Sequence, residues 1–371
     1  MKRDFAVELG RILACCIVIG VHICLPSLID NSYYDISRVY ISCLVADGVA
    51  IFWLITGCFL FKNNPYKKVL SKTFKNIGIP MLIFSLICFY FSSWIFYDTP
   101  LLQGFVHSKE EYISVFKTLL TWNNPVPCGS HLWYLYTYIL LMIIYPVLKS
   151  FVDYLDADYK RIKFFILISF SFLFINDITS NQLANFSLNS VSATLPAAIE
   201  VIYGHFLYKH RELFKKKIYL LSSIIFLGVN LIRAYLQLHN YYATPSNTHI
   251  LFWYSTFGVI CAISLLIFCF SLSNYIKNER FHSSICYIAS FTFTIYIIHT
   301  YVIALLGKYG ITNEISFFIS LHFKKRAFNV LYTITFIILV FFISFLIAFV
   351  IRYIKIWFVK FYQKIDLNIH Q

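Results

Sequence analysis

Charged side chains are scarce in this sequence of 371 residues. They make up 13% of the chain, whereas soluble globular domains carry roughly a quarter. Hydrophobic residues reach 59%, and the mean hydropathy is +0.71. A chain of this composition has too few polar side chains to cover a water-exposed surface. We therefore expect an integral membrane protein, for which lipid is the surrounding solvent.

Common catalytic and metal-binding motifs are absent as well. The sequence has no Gly-x-Ser-x-Gly, His-Glu-x-x-His or Walker-type phosphate loop, so a serine acyl-enzyme, zinc chemistry and ATP hydrolysis lack support. Its ten cysteines show no Cys-x-x-Cys spacing. Most of them lie inside apolar runs, which is typical of small buried side chains. We predict no disulfide framework and no bound metal.

Ten apolar stretches are candidate membrane helices, each of which needs about 20 mainly apolar residues. They predict an all-α bundle of about ten transmembrane helices. We expect one domain over residues 1–371, without an appended soluble domain and without a cleaved signal peptide. The fifth and sixth stretches are short. The predicted spans are residues 5–25, 39–61, 76–97, 132–151, 162–176, 191–208, 218–238, 250–274, 284–306 and 328–351.

Basic residues outnumber acidic ones by 31 to 17, and their placement predicts the orientation. They are concentrated in the loops 62–75, 149–163 and 209–217 and in both tails, all on one side of the bundle. Because Lys and Arg are retained on the cytoplasmic side, both ends should be cytoplasmic. The stretch 324–326 is also basic and runs against this rule. Orientation explains the positive charge without a nucleic-acid partner.

The longest loop on the opposite side covers residues about 98–130. Its Pro and Gly residues favour irregular structure over another helix. We expect this loop outside the cytoplasm.

The first predicted span contains three ionisable residues, Glu8, Arg11 and His22. Charged groups inside a bilayer are costly and often functional. Glu8 and Arg11 are three residues apart and can pair on one helix face. Arg11 and His22 are close to three helical turns apart, so they share a face and are separated by roughly 16 Å. By position alone, Arg11 extending to lipid headgroups and His22 lying at the outer interface is an equally good interpretation.

Three more polar residues lie in or near predicted spans. His299 is deep in the ninth, where a lone histidine is more often a hydrogen-bonded core residue than a catalyst. Arg233 in the seventh is equally ambiguous. His131 opens the fourth span, and an interfacial anchor beside Trp133 is its simplest interpretation.

Four local patterns, in order along nearly the whole chain, resemble the acyltransferase-3 family of bacterial membrane acyltransferases. The first resembles the family's acidic-x-x-Arg opening and Arg-x10-His motif. The others resemble its Ile-Ser-Gly-Phe-Leu, His-Leu-Trp-Phe-Leu and Ile-Tyr-x-x-His segments. The residues are Glu8-Leu9-Gly10-Arg11-Ile12-Leu13-Ala14 with His22, Phe52-Trp53-Leu54-Ile55-Thr56-Gly57-Cys58-Phe59-Leu60, His131-Leu132-Trp133-Tyr134-Leu135, and Ile295-Tyr296-Ile297-Ile298-His299.

Members of this family move an acyl group, usually acetyl, from a cytoplasmic coenzyme A thioester to a hydroxyl of a glycan. The resemblance implies an O-acetyltransferase of the bacterial inner membrane that uses acetyl-CoA as co-substrate and has no bound cofactor. It implies a surface polysaccharide or an undecaprenyl-linked saccharide as acceptor. The chain is most similar to the stand-alone kind, like the O-acetyltransferase of enterobacterial common antigen.

The sequence departs from the family pattern at a few positions. Thr56 and Cys58 replace the usual Ser and Phe, and Lys62 and Lys72 stand in a region often rich in Arg. Lysine binds phosphate as a point charge without the fork of arginine.

The resemblance also implies roles for individual residues. A base must take the hydroxyl proton, and His22, with a reference pKa of about 6.5, suits this role at neutral pH. Glu8 would orient Arg11, which with loop lysines would hold the phosphates of the donor. The implied catalytic residues are His22, Arg11, Glu8 and His299, and the implied substrate-binding residues are His131, Trp133, Lys72 and Lys75.

Two other classes of function fit a polytopic chain with intramembrane Arg and His. A transporter or flippase of a lipid-linked glycan would use them along a substrate pathway. A structural subunit of a polysaccharide synthase would copurify with a tight partner. Only the acyltransferase needs coenzyme A.

Overall fold

A computed structural model describes residues 3–29, 36–62, 65–96, 108–120, 126, 129–178, 193–214, 217–243 and 256–369. Helices dominate these residues, and none of them forms a β-strand. This confirms the predicted all-α class. The α-helices are α1 (Phe5–Ile29), α2 (Ile36–Leu44), α3 (Gly48–Leu60), α4 (Tyr66–Thr73), α5 (Ile79–Phe96), α6 (Lys109–Leu120), α7 (Trp133–Ile143), α8 (Tyr145–Asp156), α9 (Tyr159–Ile178), α10 (Thr194–Lys209), α11 (Ile218–Ala243), α12 (Thr256–Ser273), α13 (Glu279–Ala289), α14 (Thr292–Lys308), α15 (Ile311–His322) and α16 (Lys325–Ile369).

The described helices include six segments that are long and apolar enough to cross a membrane. Two helix pairs raise this number to eight if each pair is one bent span. These pairs are α7 with α8, bent by 69°, and α13 with α14, bent by 55°. The fifth and sixth predicted spans form helices α9 and α10, which do not pass this test. The predicted ten spans require both of them to cross as well.

One prediction about the loop 98–130 is wrong, because its residues 109–120 form helix α6. The helix begins with a capping box. The backbone N–H of Ser108 donates to Glu111 Oε2 at 2.8 Å, and the backbone N–H of Glu111 donates to Ser108 Oγ at 3.2 Å. These reciprocal bonds satisfy two donors at the start of the helix. Ser and Glu three residues apart were visible in the sequence.

The loop between the ninth and tenth predicted spans also contains an unexpected helix, α15. Gly310 precedes it with a φ of 71°. This left-handed conformation is readily adopted only by glycine. It lets the chain leave α14 and begin a new helix at once.

Helix α1 lies at the centre of the bundle. It packs against α2, α3, α12, α13, α14 and α16, so residues on several of its faces are enclosed by protein. A residue of α1 therefore meets side chains that are distant in sequence. This arrangement brings His22 to His299 of α14 and to His131, which lies just before α7.

Helices α3 and α10 cross at two glycines. A Cβ atom on Gly57 would lie 1.9 Å from the Val201 carbonyl oxygen, and one on Gly204 would lie 1.9 Å from the Leu54 carbonyl oxygen. Only glycine permits backbones to approach so closely, as is common between membrane helices. This contact fixes the position of α3, which forms one wall of the site described below.

The break between α2 and α3 contains a buried ion pair. Asp47 accepts hydrogen bonds from Arg233 of α11, at 2.6 Å from Nη1 to Oδ2 and 3.2 Å from Nη2 to Oδ1. Arg233 Nη1 also donates to Asn230 Oδ1 at 3.1 Å. The Arg233 side chain is 0% exposed. This geometry resolves the ambiguity of Arg233 in favour of a structural role.

Candidate active site

The three ionisable residues of α1 begin with a buried acid. The Glu8 side chain is 6% exposed. Both of its carboxylate oxygens accept hydrogen bonds from Arg11 Nη1, at 3.1 and 2.9 Å, and Arg3 Nη1 lies 3.6 Å from Oε2. The Glu8–Arg11 contact expected from their spacing is therefore present. It fixes the guanidinium group of Arg11, whose side chain is 27% exposed.

A cavity of about 440 Å³ lies beside Arg11. This volume is within the range of about 300–1,000 Å³ that small-molecule sites usually have. The walls come from α1, α3, α4, α7, α14 and a π-helical turn between α4 and α5. Four of these helices, α1, α3, α7 and α14, carry the four motifs found in the sequence.

Three cations line the cavity: Arg11, Lys68 and Lys72. Lys68 and Lys72 are four residues apart on α4 and share a helix face. None of the lining residues within the described chain is acidic, so the lining carries a net positive charge. Of the two lysines predicted to bind substrate, Lys72 lines the cavity. The exposed Lys75 does not, although it is only one turn further along.

The chain between α4 and α5 forms the π-helical turn Phe74–Gly78. Pro80 has no backbone N–H and cannot bond to the carbonyl of Asn76, which disturbs the regular α-helical pattern here. Such turns often occur at functional sites. In this protein, Thr73, Asn76 and Ile77 from the turn and its border line the cavity.

Three histidines that are far apart in sequence form a cluster. The ring centroids of His22 and His299 are 5.1 Å apart, those of His131 and His299 4.8 Å, and those of His22 and His131 5.8 Å. His22 comes from α1, His299 from α14, and His131 from the 3₁₀ turn Ser130–Leu132 that precedes α7. We call these three residues the histidine cluster.

Hydrogen bonds define the protonated nitrogens of two cluster members. His131 Nε2 lies 3.2 Å from the Ile297 carbonyl oxygen and must donate to it, while Nδ1 lies 3.3 Å from Thr300 Oγ1. His299 Nδ1 donates to the Tyr296 carbonyl oxygen at 2.6 Å. Its Nε2 is then left as an acceptor, and it is buried without a hydrogen-bond partner among the described residues.

Three aromatic side chains, Phe52, Tyr134 and Tyr296, lie between the cations and the histidine cluster. Phe52 lies eight residues before Leu60 on α3, roughly 12 Å along the axis from the end that leads to the lysines of α4. The Tyr296 ring also contacts His131 and His299, with centroid distances of 5.4 and 5.8 Å. The cavity therefore extends from the cations to the edge of the histidine cluster.

The structure brings the predicted residues together to different degrees. Arg11 and Lys72 line the cavity, Glu8 supports Arg11, and His22, His131 and His299 form the cluster. Trp133 is half-buried and packs against the main hydrophobic core, outside the cavity lining.

Sequence reasoning missed Lys68 and Tyr138, which also line the cavity. Lys68 had a usable signal, because it lies one turn from Lys72. Tyr138 had no such signal in an already aromatic helix.

Comparisons with known proteins agree with the sequence motifs. A family model described as an acyltransferase domain matches residues 4–359, which is nearly the whole chain. Neither the curated proteins nor the solved structures contain a match to the chain. On the extent of the family match, the chain belongs to the acyltransferase-3 family and is a membrane acyltransferase.

Proposed function

We propose that this acyltransferase moves an acetyl group from cytoplasmic acetyl-CoA to a hydroxyl of a cell-surface polysaccharide or of its undecaprenyl-linked precursor. The observation that carries the proposal is one cavity with cations at one end and histidines adjoining the other. A coenzyme A thioester has the matching polarity, with phosphates at one end and the reactive carbonyl at the other.

The cationic end is suited to the donor. Phosphates bind to Arg and Lys through charge-assisted hydrogen bonds, and Arg11, Lys68 and Lys72 line this end without an opposing acid among the described lining residues. The pantetheine arm would extend along the apolar wall of α3 and α7. This path directs the thioester towards Tyr296 and the histidine cluster.

His22 is the proposed general base. The hydroxyl oxygen of the acceptor forms a bond to the acyl carbon while its proton passes to His22, and the carbon–sulfur bond then breaks. The thiolate of coenzyme A takes the proton from His22 as it leaves. No group remains on the enzyme, so the acyl group is transferred directly within a ternary complex.

His299 is positioned to assist this step. Once protonated, His22 carries an additional N–H group, and the neighbouring His299 Nε2, which has no hydrogen-bond partner in the part of the chain that the structure describes, can accept a hydrogen bond from it. This interaction would stabilise the imidazolium ion formed in the transition state. His131 holds the arrangement through its bonds to α14.

The orientation follows from the basic loops. Lys68 and Lys72 belong to the loop 62–75, which the distribution of basic residues assigns to the cytoplasm. The donor would therefore enter from the cytoplasm, and His22 lies roughly 16 Å further along α1, towards the opposite side. In a bacterial inner membrane, that side faces the glycan acceptor.

A purified preparation in lipid nanodiscs tests this function. With radiolabelled acetyl-CoA, we expect release of free coenzyme A and transfer of label to a lipid-linked glycan fraction, both of which are lost in His22→Ala. A transporter or flippase would leave acetyl-CoA intact while moving the glycan lipid across the bilayer. Intact acetyl-CoA in the presence of the acceptor fraction and folded protein would reject the proposal.

A further inference from the structure

Three aromatic rings of the cavity lining, Phe52, Tyr134 and Tyr296, pack against one another. The ring centroids of Phe52 and Tyr134 are 5.9 Å apart, those of Phe52 and Tyr296 6.0 Å, and those of Tyr134 and Tyr296 5.5 Å. Aromatic rings are in contact when their centroids are about 4.5–7 Å apart. Every ring thus contacts the other two, and we call the three residues the ring triangle.

The histidine cluster contacts the ring triangle at Tyr296. Tyr296 links the two groups, because its ring lines the cavity and also contacts His131 at 5.4 Å and His299 at 5.8 Å. An acyl group that enters past Arg11 and approaches the histidines must therefore lie against these rings. Any chain beyond the carbonyl carbon competes with them for space.

The ring triangle is held in place from outside. The hydroxyl of Tyr296 donates to the His131 carbonyl oxygen at 2.5 Å. The Tyr134 ring packs on the fully buried Trp53, with centroids 4.2 Å apart. Phe52 belongs to α3, which the glycine crossing holds against α10. Rings packed in this way give little room to an added methylene group.

We propose that the ring triangle sets the length of the acyl group, so that acetyl is accepted and chains of four or more carbons are rejected. This inference rests on the proposed function, because it assumes that a thioester enters from the Arg11 end. One methylene group in a fitted apolar pocket changes selectivity by roughly 10–200-fold. The rings thus give the cavity a preference for short acyl groups. Its cations cannot supply this preference, since all coenzyme A thioesters share the same phosphates.

The test compares acetyl-CoA with butyryl-CoA as donors for the full chain in nanodiscs. Phe52→Ala removes one side of the triangle, and we expect the ratio of butyryl to acetyl kcat/KM to rise by about tenfold or more. Phe52→Leu keeps apolar bulk on α3 and should raise the ratio by less. Phe52 is the best position because its side chain is only half-buried and makes no contact with a histidine ring among the described residues.

Phe59→Ala is the matched control. Phe59 lies two turns along α3 from Phe52, lines the same cavity, and packs on Tyr208 with ring centroids 5.2 Å apart instead of joining the triangle. Its loss should change KM for both donors alike and leave their ratio as in the wild type. Size-exclusion chromatography and thermal unfolding identify variants that are folded.

Each outcome decides the inference. A wild type that uses butyryl-CoA as well as acetyl-CoA would overturn it, and so would an unchanged ratio in a folded Phe52 variant. If Phe52→Ala does not fold, the ratio in Phe52→Leu decides. In all these cases, turnover of acetyl-CoA leaves the proposed function intact. A wild type that turns over neither thioester would instead reject the proposed function, and the inference with it.

Discussion

Two arginine–carboxylate pairs within the helix bundle differ in their access to a cavity. In the pair of Arg233 with Asp47, the side chains are 0% and 5% exposed. In the pair of Arg11 with Glu8, the acid is similarly buried at 6%, but the arginine is 27% exposed and lines the cavity. The carboxylates are thus alike, whereas only one of the two cations can meet a ligand.

The two arginines also differ in how many of their terminal nitrogens donate hydrogen bonds. Arg233 uses both terminal nitrogens, on Asp47 and Asn230. Arg11 bonds to Glu8 through Nη1 alone among the described contacts, so most of its five N–H donors point elsewhere. A buried pair that is fully engaged holds helices together. A pair with spare donors on a cavity is suited to binding.

The largest effect should follow loss of His22, whose cluster contacts the cavity-lining ring of Tyr296. General-base catalysis contributes about 10²–10⁴-fold to a rate, so His22→Ala should lower the transfer rate by that factor while expression and thermal unfolding stay near the wild type. The exposed His322 on α15 provides the control, and His322→Ala should have almost no effect. A His22 variant that keeps more than about a third of the rate is incompatible with the base role.

The dependence of the transfer rate on pH is a second test of the base role of His22. Protonated imidazole cannot accept the hydroxyl proton, so the wild-type rate should fall as acidification protonates His22. In His22→Gln, the remaining slow reaction should lack this acidic limb. An identical limb in the variant would mean that another group titrates, and His299 would be the next residue to test.

The next largest effect should be a loss of stability when the pair of Arg233 with Asp47 is broken. Arg233→Ala leaves Asp47 buried without its partner, which typically costs about 3–5 kcal/mol. We expect poor expression and a clearly lower unfolding temperature. The double variant Arg233→Met with Asp47→Leu removes both charges and should recover most of the stability. Normal stability of Arg233→Ala combined with weaker donor binding would reverse the roles assigned to the two pairs.

The different roles of these pairs were only partly visible in the sequence. Glu8 and Arg11 are close in the chain, so helical spacing alone predicted their contact. Asp47 and Arg233 are far apart in the chain, and nothing in their spacing connects them. Asp47 lies in the break between α2 and α3, within a stretch predicted as the continuous span 39–61. Asp47 followed by Gly48 is a local signal for the break, but the pairing of Asp47 with Arg233 depends on tertiary contacts that sequence patterns do not show.

The histidine cluster illustrates the same limit. His22, His131 and His299 were each identified from local motifs, yet their mutual contacts depend on how α1, α7 and α14 pack. The bend between α7 and α8 had a local signal in Pro146, which lies in the first turn of α8. The bend between α13 and α14 at residues 290–291 lacks such a signal, because neither Ser nor Phe interrupts a helix.

Arg11→Ala should have a smaller effect than the first two changes and should act mainly on the donor. Hydrogen bonds to charged groups contribute about 1.5–3 kcal/mol, so the KM for acetyl-CoA should rise by roughly 10–150-fold with kcat little changed. Stability should change less than in Arg233→Ala, because Arg11 is partly exposed and Arg3 remains near Glu8. An unchanged KM in the folded variant would return Arg11 to an interfacial role.

The smallest expected effect distinguishes two neighbouring lysines. Lys72 lines the cavity beside Arg11, whereas Lys75 is exposed but lies outside the lining. Sequence reasoning assigned both to the phosphates of the donor, and the cavity geometry favours Lys72 alone. Exposed charge pairs contribute about 0.2–1 kcal/mol, so Lys72→Ala should raise the KM for acetyl-CoA by about 1.4–5-fold, and Lys75→Ala should leave it near the wild type.

Salt provides the internal control for this comparison. Interactions between exposed charges weaken as ionic strength rises, because the Debye length falls from about 10 Å at 0.1 M to about 3 Å at 1 M. The difference in KM between wild type and Lys72→Ala should therefore shrink at high salt, whereas the effect of the more enclosed Arg11→Ala should persist. If Lys72→Ala and Lys75→Ala raised the KM equally at low salt, the donor would be interacting with the charge of the whole basic loop. The contrast between the effects of Arg11→Ala and Lys72→Ala on KM would then show how much of the phosphate binding comes from the enclosed arginine and how much from solvated lysines.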